Sequence, residues 1–138
     1  MPFTRTTFAV LLVVSLGAAC STSQHSKQAL VEALYEYSNG VRWGRSEWIQ
    51  GHLPKGRESR AASSQLQVIT CEVENVVMDK DRAVATIRVD WYLLDQARLR
   101  STLLRQTWVE VGGRWEIREQ KVSEGAPFPG LGQVSAPL

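Results

Sequence analysis

Cys20 closes the stretch "SLGAAC", and its thiol has three uses open to it: half of a disulfide, a nucleophile, or a point of lipid attachment. The other cysteine, Cys71, lies in the β-rich run "LQVITCEVENVV". No neighbour there would lower its pKa, so it reads as a small buried hydrophobe. His25 falls in "STSQHSK" and His52 in "WIQGHLP", a spacing that makes no zinc set with Cys71. His52 stands at a helix end, where a surface hydrogen bond is the ordinary use and general-base chemistry the sharper one. The chain shows no glycine-rich phosphate loop, nucleophile elbow or paired-carboxylate motif. No catalytic residue, metal or cofactor is therefore expected. Cys20 is the residue whose surroundings say most.

Those surroundings have the three parts of a secretion signal. Arg5 marks a short basic n-region, an apolar run extends from Phe8 to about Leu16, and Gly17, Ala18 and Ala19 lead into Cys20. The run is well short of the ~20 residues that a spanning helix needs. Small residues directly before a cysteine resemble the lipobox of bacterial lipoproteins, although Leu16 stands four places before the cysteine where members usually have it three before. The resemblance implies diacylglyceryl attachment at Cys20, cleavage before it, and acylation with fatty chains such as palmitate. Ser21 after the cysteine implies sorting to the outer membrane, on its periplasmic face. With Cys20 lipidated, Cys71 has no disulfide partner. Residues 20–26 then read as a polar, flexible tether.

The bulk numbers agree with one small globular domain. At 138 residues there is chain for a single modest core, and 43% hydrophobic with 22% charged is an ordinary balance for it. The net charge of +2 is made of interspersed signs, and removing residues 1–19 subtracts only Arg5. A nucleic-acid partner, which needs a clustered basic face, is not expected.

The elements that must position these side chains follow from periodicity. In "SKQALVEALYEYSNGVRWG", Leu30, Leu34, Tyr37 and Val41 form one helical stripe, with Ser26 as the expected cap and Asn39-Gly40 as the expected weak point. "RSEWIQGHLP" predicts a second short helix capped by Ser46, with Glu47 in its first turn and Gly51 and Pro54 stopping it. Arg42, Arg45, Arg57 and Arg60 gather in this helical half as a solvated rim. Beyond it the period changes to two, in four β-rich runs separated by "MDKD", "DQA" and "GG".

Register gives a consistency test. A two-residue turn at Gly112-Gly113 pairs Trp108 with Ile117 and Glu110 with Trp115. A two-residue turn at Gln96-Ala97 pairs Val89 with Leu104, Ile87 with Gln106, and Ala85 with Trp108. Opposed residues share a face. One face then collects Ala85, Ile87, Val89, Trp91, Leu93, Leu104, Trp108, Trp115 and Ile117. The other carries Thr86, Arg88, Asp90, Arg105, Thr107, Glu116 and Arg118, with Asp90 beside Arg88 and Arg105. A three-residue loop, Asp79-Lys80-Asp81, brings Ile69, Cys71 and Val73 to the apolar face. An even loop would instead turn Glu72 and Glu74 inward.

The fold class predicted is α+β: N-terminal helices packed on a curved antiparallel sheet of about four strands, preceded by a signal peptide. The expected organisation is a signal peptide over 1–19, the lipidated cysteine and tether over 20–26, a cone domain over 27–122, and a Pro/Gly-rich tail over 123–138. The order of elements, with "YEYSNGVRWGRSEWIQGHL" before long hairpins, is similar to the nuclear-transport-factor-two-like superfamily of cystatin-like cones and most resembles its small proteobacterial lipoproteins. A cystatin-type or transthyretin-like lipoprotein is the competing fold. Enzymes of the superfamily place Asp, His or Tyr inside the cone, whereas the inward face read here carries no ionisable group along its central strand.

Five tryptophans remain as a positive sign. They either fill the core or line a pocket for a flat or acyl ligand, in which case Trp91, Gln106, Trp108, Trp115 and Tyr37 are the candidate binding residues. Gln106, inward and polar, needs a partner, for which Tyr37, Tyr35 or a ligand would serve. The functional expectation is a lipid-anchored envelope protein acting as a non-catalytic binding or assembly module. A carrier of a small hydrophobic ligand is the alternative, and an isomerase- or cyclase-type enzyme a third. The expected partners are the membrane, through lipid, and an envelope protein. The outer sheet face would suit a homodimer.

Overall fold

The computed structural model describes residues 18–57 and 63–130. The apolar leader up to Gly17, Arg60 and residues 131–138 of the tail lie outside the described residues, as does the side chain of Cys20. The architecture is α+β: α1 (Ala18–Trp43) and α2 (Ser46–Gln50) precede an antiparallel meander of β1 (Leu66–Asp79), β2 (Arg82–Leu93), β3 (Arg100–Val111) and β4 (Arg114–Gly125). The four strands form one open sheet in the order β1-β2-β3-β4.

Helix α1 buries the stripe of Leu30, Leu34, Tyr37 and Val41 that its spacing announces. It starts earlier than Ser26, so that residue is not a cap and the segment before it is not an extended tether. Residues 21–26 contain neither proline nor glycine, and the sheet gives them something to hold. Ser26 Oγ donates to Glu110 Oε2 at 2.7 Å, and its carbonyl accepts from Trp115 Nε1 at 3.1 Å.

The helix also runs straight through Asn39-Gly40. Gly40 is needed for proximity: a Cβ there would lie 2.8 Å from Ile49 Cγ1 and 3.1 Å from the Arg45 carbonyl. The stop comes at Gly44, whose φ of +64 suits glycine. Arg45 N–H then bonds to Gly40 O at 2.8 Å and Gly44 N–H to Val41 O at 3.4 Å, the paired bonds of a Schellman end. Because Arg45 occupies the N-cap position of α2, Ser46 is its first helical residue and caps nothing. Ile49 of α2 is fully buried against α1.

The Gly112-Gly113 turn has both residues at positive φ, and it sets Trp108 opposite Ile117 and Glu110 opposite Trp115 as expected. The β2–β3 connection is longer than the expected turn, because Leu94 N–H is drawn back to Gln65 O at 2.8 Å and the chain re-enters the sheet only at Arg100. Ile87 therefore faces Leu104, and Ala85 faces Gln106, a slip of two residues. An even slip leaves every side chain on its own face.

The β1–β2 hairpin closes on a pair, Asp79 opposite Arg82, so its loop is even after all. Glutamates do not enter the core because β1 bulges between Val73 and Asn75, which restores parity. A second irregularity, between Val68 and Thr70, puts Val68 rather than Ile69 opposite Trp91 and leaves Ile69 exposed. β4 is irregular twice as well, opposite Thr107/Trp108 and opposite Leu103/Leu104. Bulges on both edge strands bend the sheet around α1 and disrupt the edges as pairing templates.

The domain extends beyond Val122. β4 continues to Gly125, and Phe128 folds back to bury its ring 5.8 Å from that of Trp91. Thr102 anchors this turn, its Oγ1 accepting from Trp91 Nε1 at 2.9 Å and donating to the Ala126 carbonyl at 2.5 Å. Docking one aromatic ring spares the open end of the core from water.

Candidate functional site

The apolar face formed as read. Ala85, Ile87, Val89, Trp91, Leu104, Trp108, Trp115 and Ile117 are buried, and Leu93 packs on their edge. Five residues of this interior are the candidates for a ligand site. Trp91, Gln106, Trp108, Trp115 and Tyr37 are all at most 1% exposed, and their polar ends are occupied by one another, by the side chains of Thr102 and Gln120, or by backbone.

The polar thread runs through the core from α1 to β3. Gln120 Oε1 accepts from Tyr37 OH at 2.9 Å and from Gln106 Nε2 at 2.6 Å, while Gln106 Oε1 accepts from Trp108 Nε1 at 3.0 Å. Tyr37 also stands edge-on to Trp108 at 6.0 Å. Burial pushes the Tyr37 phenol well above its ordinary range, helped by the neighbouring Cys71 and opposed by Gln106. Gln120 escaped the sequence reading because the irregularity in β4 after Ile117 reverses which residues point inward. Half-buried, Gln120 satisfies two donors of the core through one oxygen.

Cys71 is buried opposite Val89. Loss of solvent pushes its thiol up to about 12, a shift partly offset by Ser38. At neutral pH such a sulfur stays a thiol and does not act as a nucleophile.

His52 differs most from its sequence reading. It is buried rather than on the surface, because the turn after α2 tucks under β4, with Ile117 N–H bonded to the His52 carbonyl at 2.8 Å. Its Nδ1 lies 3.1 Å from the Trp115 carbonyl and its Nε2 2.8 Å from Glu36 Oε2, with the ring 5.7 Å from that of Trp108. Each ring nitrogen thus stands within hydrogen-bond reach of an oxygen, and the tautomer sets which of the two nitrogens donates. His52 therefore ties α1, α2 and β4 together, with both ring nitrogens facing oxygens of the domain.

On the outer sheet face, Arg88 bonds to Glu74 and, at 3.4 Å, to Ser101, while Thr70 donates to Asp90 at 3.0 Å. Thr70, not Arg88 or Arg105, is thus the hydrogen-bond partner of Asp90. Glu116, nearly buried, sits between Arg114 at 2.5 Å and Arg118 at 3.4 Å.

Open space lies outside the helix. A cleft of ≈ 650 Å³ between α1 and α2 is lined by Val31, Glu32, Tyr35, Glu36, Glu47, Trp48 and Gly51. A second, of ≈ 420 Å³, follows the other flank of the same helix down to Cys71, Val73 and Val76 on β1. Val31 and Tyr35, one turn apart, form the ridge between them and are 65% and 69% exposed. Trp43 and Trp48 are exposed as well, each beneath an arginine: Arg42 is 5.0 Å from the Trp43 ring and Arg45 is 5.7 Å from the Trp48 ring. The sequence marked these tryptophans only as core or pocket. Their neighbours on α1 give the missing sign, since Val31 and Tyr35 fall off the buried stripe.

Among the described residues, no group of three or more His, Cys, Asp or Glu is placed to hold a metal ion, and no helix is long and apolar enough to cross a membrane. Among the described residues, fold and surface define a small α+β domain with its inward tryptophans buried and an apolar, cleft-flanked helix on its outside. Compared with protein-family models, curated proteins and solved structures, the chain matches none.

Proposed function

We propose that this protein is a lipid-anchored module of a bacterial envelope that acts by docking another protein and not by catalysis. The observation that carries the reading is the placement of its apolar side chains. The inward tryptophans and Gln106 are used up inside the domain, while Val31, Tyr35 and Trp48 stand in water around a cleft large enough to seat several side chains. The helix-then-meander order supports grouping the domain with the nuclear-transport-factor-two-like cones.

The anchor is Cys20, at the periplasmic face of the outer membrane. Its support is the sequence "LLVVSLGAAC" together with a helix that already includes residue 20, which would hold the domain close to the bilayer. Two or three acyl chains suffice for stable attachment. Labelling cells with radioactive or clickable palmitate, comparing the native chain with Cys20→Ser, tests the anchor: label must be lost in the variant. Photocrosslinking from position 35 in intact cells tests the docking, and a discrete protein adduct is expected.

A further inference from the structure

Resting on that docking reading, we infer that the α1–α2 cleft takes a basic amphipathic segment of a partner protein, with an apolar side chain seated between Tyr35 and Trp48 and Lys or Arg side chains meeting Glu32, Glu36 and Glu47. The lining carries three carboxylates and no Lys or Arg, in a chain whose net charge is +2. Arg45, beside the lining, offsets one of these charges from over Trp48, and the excess of carboxylates still opposes the charge of the whole and steers a cationic partner to this face.

Each carboxylate keeps capacity for a new donor. Glu32 accepts one bond from Gln28 at 3.2 Å, Glu36 accepts His52 through Oε2, and Glu47 has Arg45 at 3.7 Å. The three pairs do not close off the cleft, because Glu36 and Glu47 remain largely in water. The apolar floor supplies the other half of the recognition. Val31 and Tyr35 at helical spacing face Trp48 from α2, an arrangement that suits an apolar anchor flanked by charges one turn away.

The same charges disfavour two other occupants. An anionic lipid surface would be repelled by three carboxylates. A second copy meeting this face by two-fold symmetry would set Glu32, Glu36 and Glu47 against themselves.

The test uses the full chain held in zwitterionic phosphatidylcholine nanodiscs, with empty discs as the blank. Two fluorescent amphipathic peptides share one leucine pattern; one carries lysine and the other glutamate on its polar positions. The lysine peptide should bind at least tenfold more tightly than the glutamate peptide. Its affinity should fall several-fold between 50 and 300 mM salt, as about two or three screened ion pairs require. The variant combining Glu32→Gln with Glu47→Gln, which spares the Glu36–His52 tie, should lose most of that preference, and Trp48→Ala should weaken binding with the fold intact by circular dichroism.

Equal binding of the two peptides, or binding untouched by either variant, overturns the inference. So does dimerisation of the chain, or binding to phosphatidylglycerol vesicles, that Trp48→Ala abolishes. A protein adduct from position 35 alongside equal peptide binding removes the charge assignment and leaves the docking reading in place. Absence of any adduct from that position removes both.

Discussion

His52 Nε2 lies 2.8 Å from Glu36 Oε2, joining a buried imidazole just after α2 to a carboxylate midway along α1 on the rim of the cleft. With the close approach of Gly40 to Ile49, this contact holds together the two helices that form the cleft walls. Removing the ring leaves the Trp115 carbonyl without its partner and a gap beside Trp108. His52→Ala should therefore cost about 2–3 kcal/mol in urea unfolding, from the lost hydrogen bonding of a buried ring and the gap left beside Trp108. Glu36→Gln, which keeps an acceptor, should cost under about 1 kcal/mol.

The Tyr37–Gln120–Gln106–Trp108 thread should behave as one unit. Gln106→Leu alone strands Trp108 Nε1 and removes a donor from Gln120, so a loss of about 2–3 kcal/mol is expected. Tyr37→Phe should cost about 1 kcal/mol alone and noticeably less in a Gln120→Leu background. The measurement is a double-mutant cycle by chemical denaturation, and additive losses would show that the bonds are independent.

Alkaline stability should carry the mark of Cys71. Its folded pKa of about 12 lies above the ordinary thiol value, so the folded state holds its proton where the unfolded state releases it. Stability is then complete below the unfolded thiol pKa and falls as pH rises from about 9 toward 12. Cys71→Ala should flatten the loss between about pH 9 and 10, before Tyr37, also held protonated by burial, adds its own. A thiol reagent at pH 8 should label native protein far more slowly than unfolded protein.

Gly40→Ala should destabilise in spite of alanine's better helix propensity, which is worth about 1 kcal/mol. The new methyl would stand 2.8 Å from Ile49 Cγ1 and 3.1 Å from a backbone oxygen, so α2 must move. A net loss of about 1–2 kcal/mol by thermal unfolding is expected. Ile49→Val in the same chain should recover part of it, whereas a gain in stability from Gly40→Ala alone would show that α2 yields freely.

How far the chain could be read follows from which signals survive an error of register. The two faces of β2 and β3 were legible, since slipping Ile87 from Gln106 to Leu104 changes the partner and not the side. The Gly112-Gly113 turn was legible because its residue types permit little else. The irregularities near Ile69, Glu74 and Arg118 were not, because one extra residue on an edge strand leaves no composition cue, and Gln120 was missed with them. His52 looked exposed because its burial is created by β4, sixty-odd residues away. The cleft needed the angle between α1 and α2, which depends on Gly40 and on that histidine.

The central claim is that the outside of α1 docks a protein. Its most direct measurement is photocrosslinking in intact cells with a reactive residue placed at Tyr35, against a control at Arg105 on the outer sheet face. The account predicts a discrete protein adduct from position 35 that Trp48→Ala diminishes, and none of the same mass from position 105. Adducts from position 105 alone, or none from position 35, would contradict it.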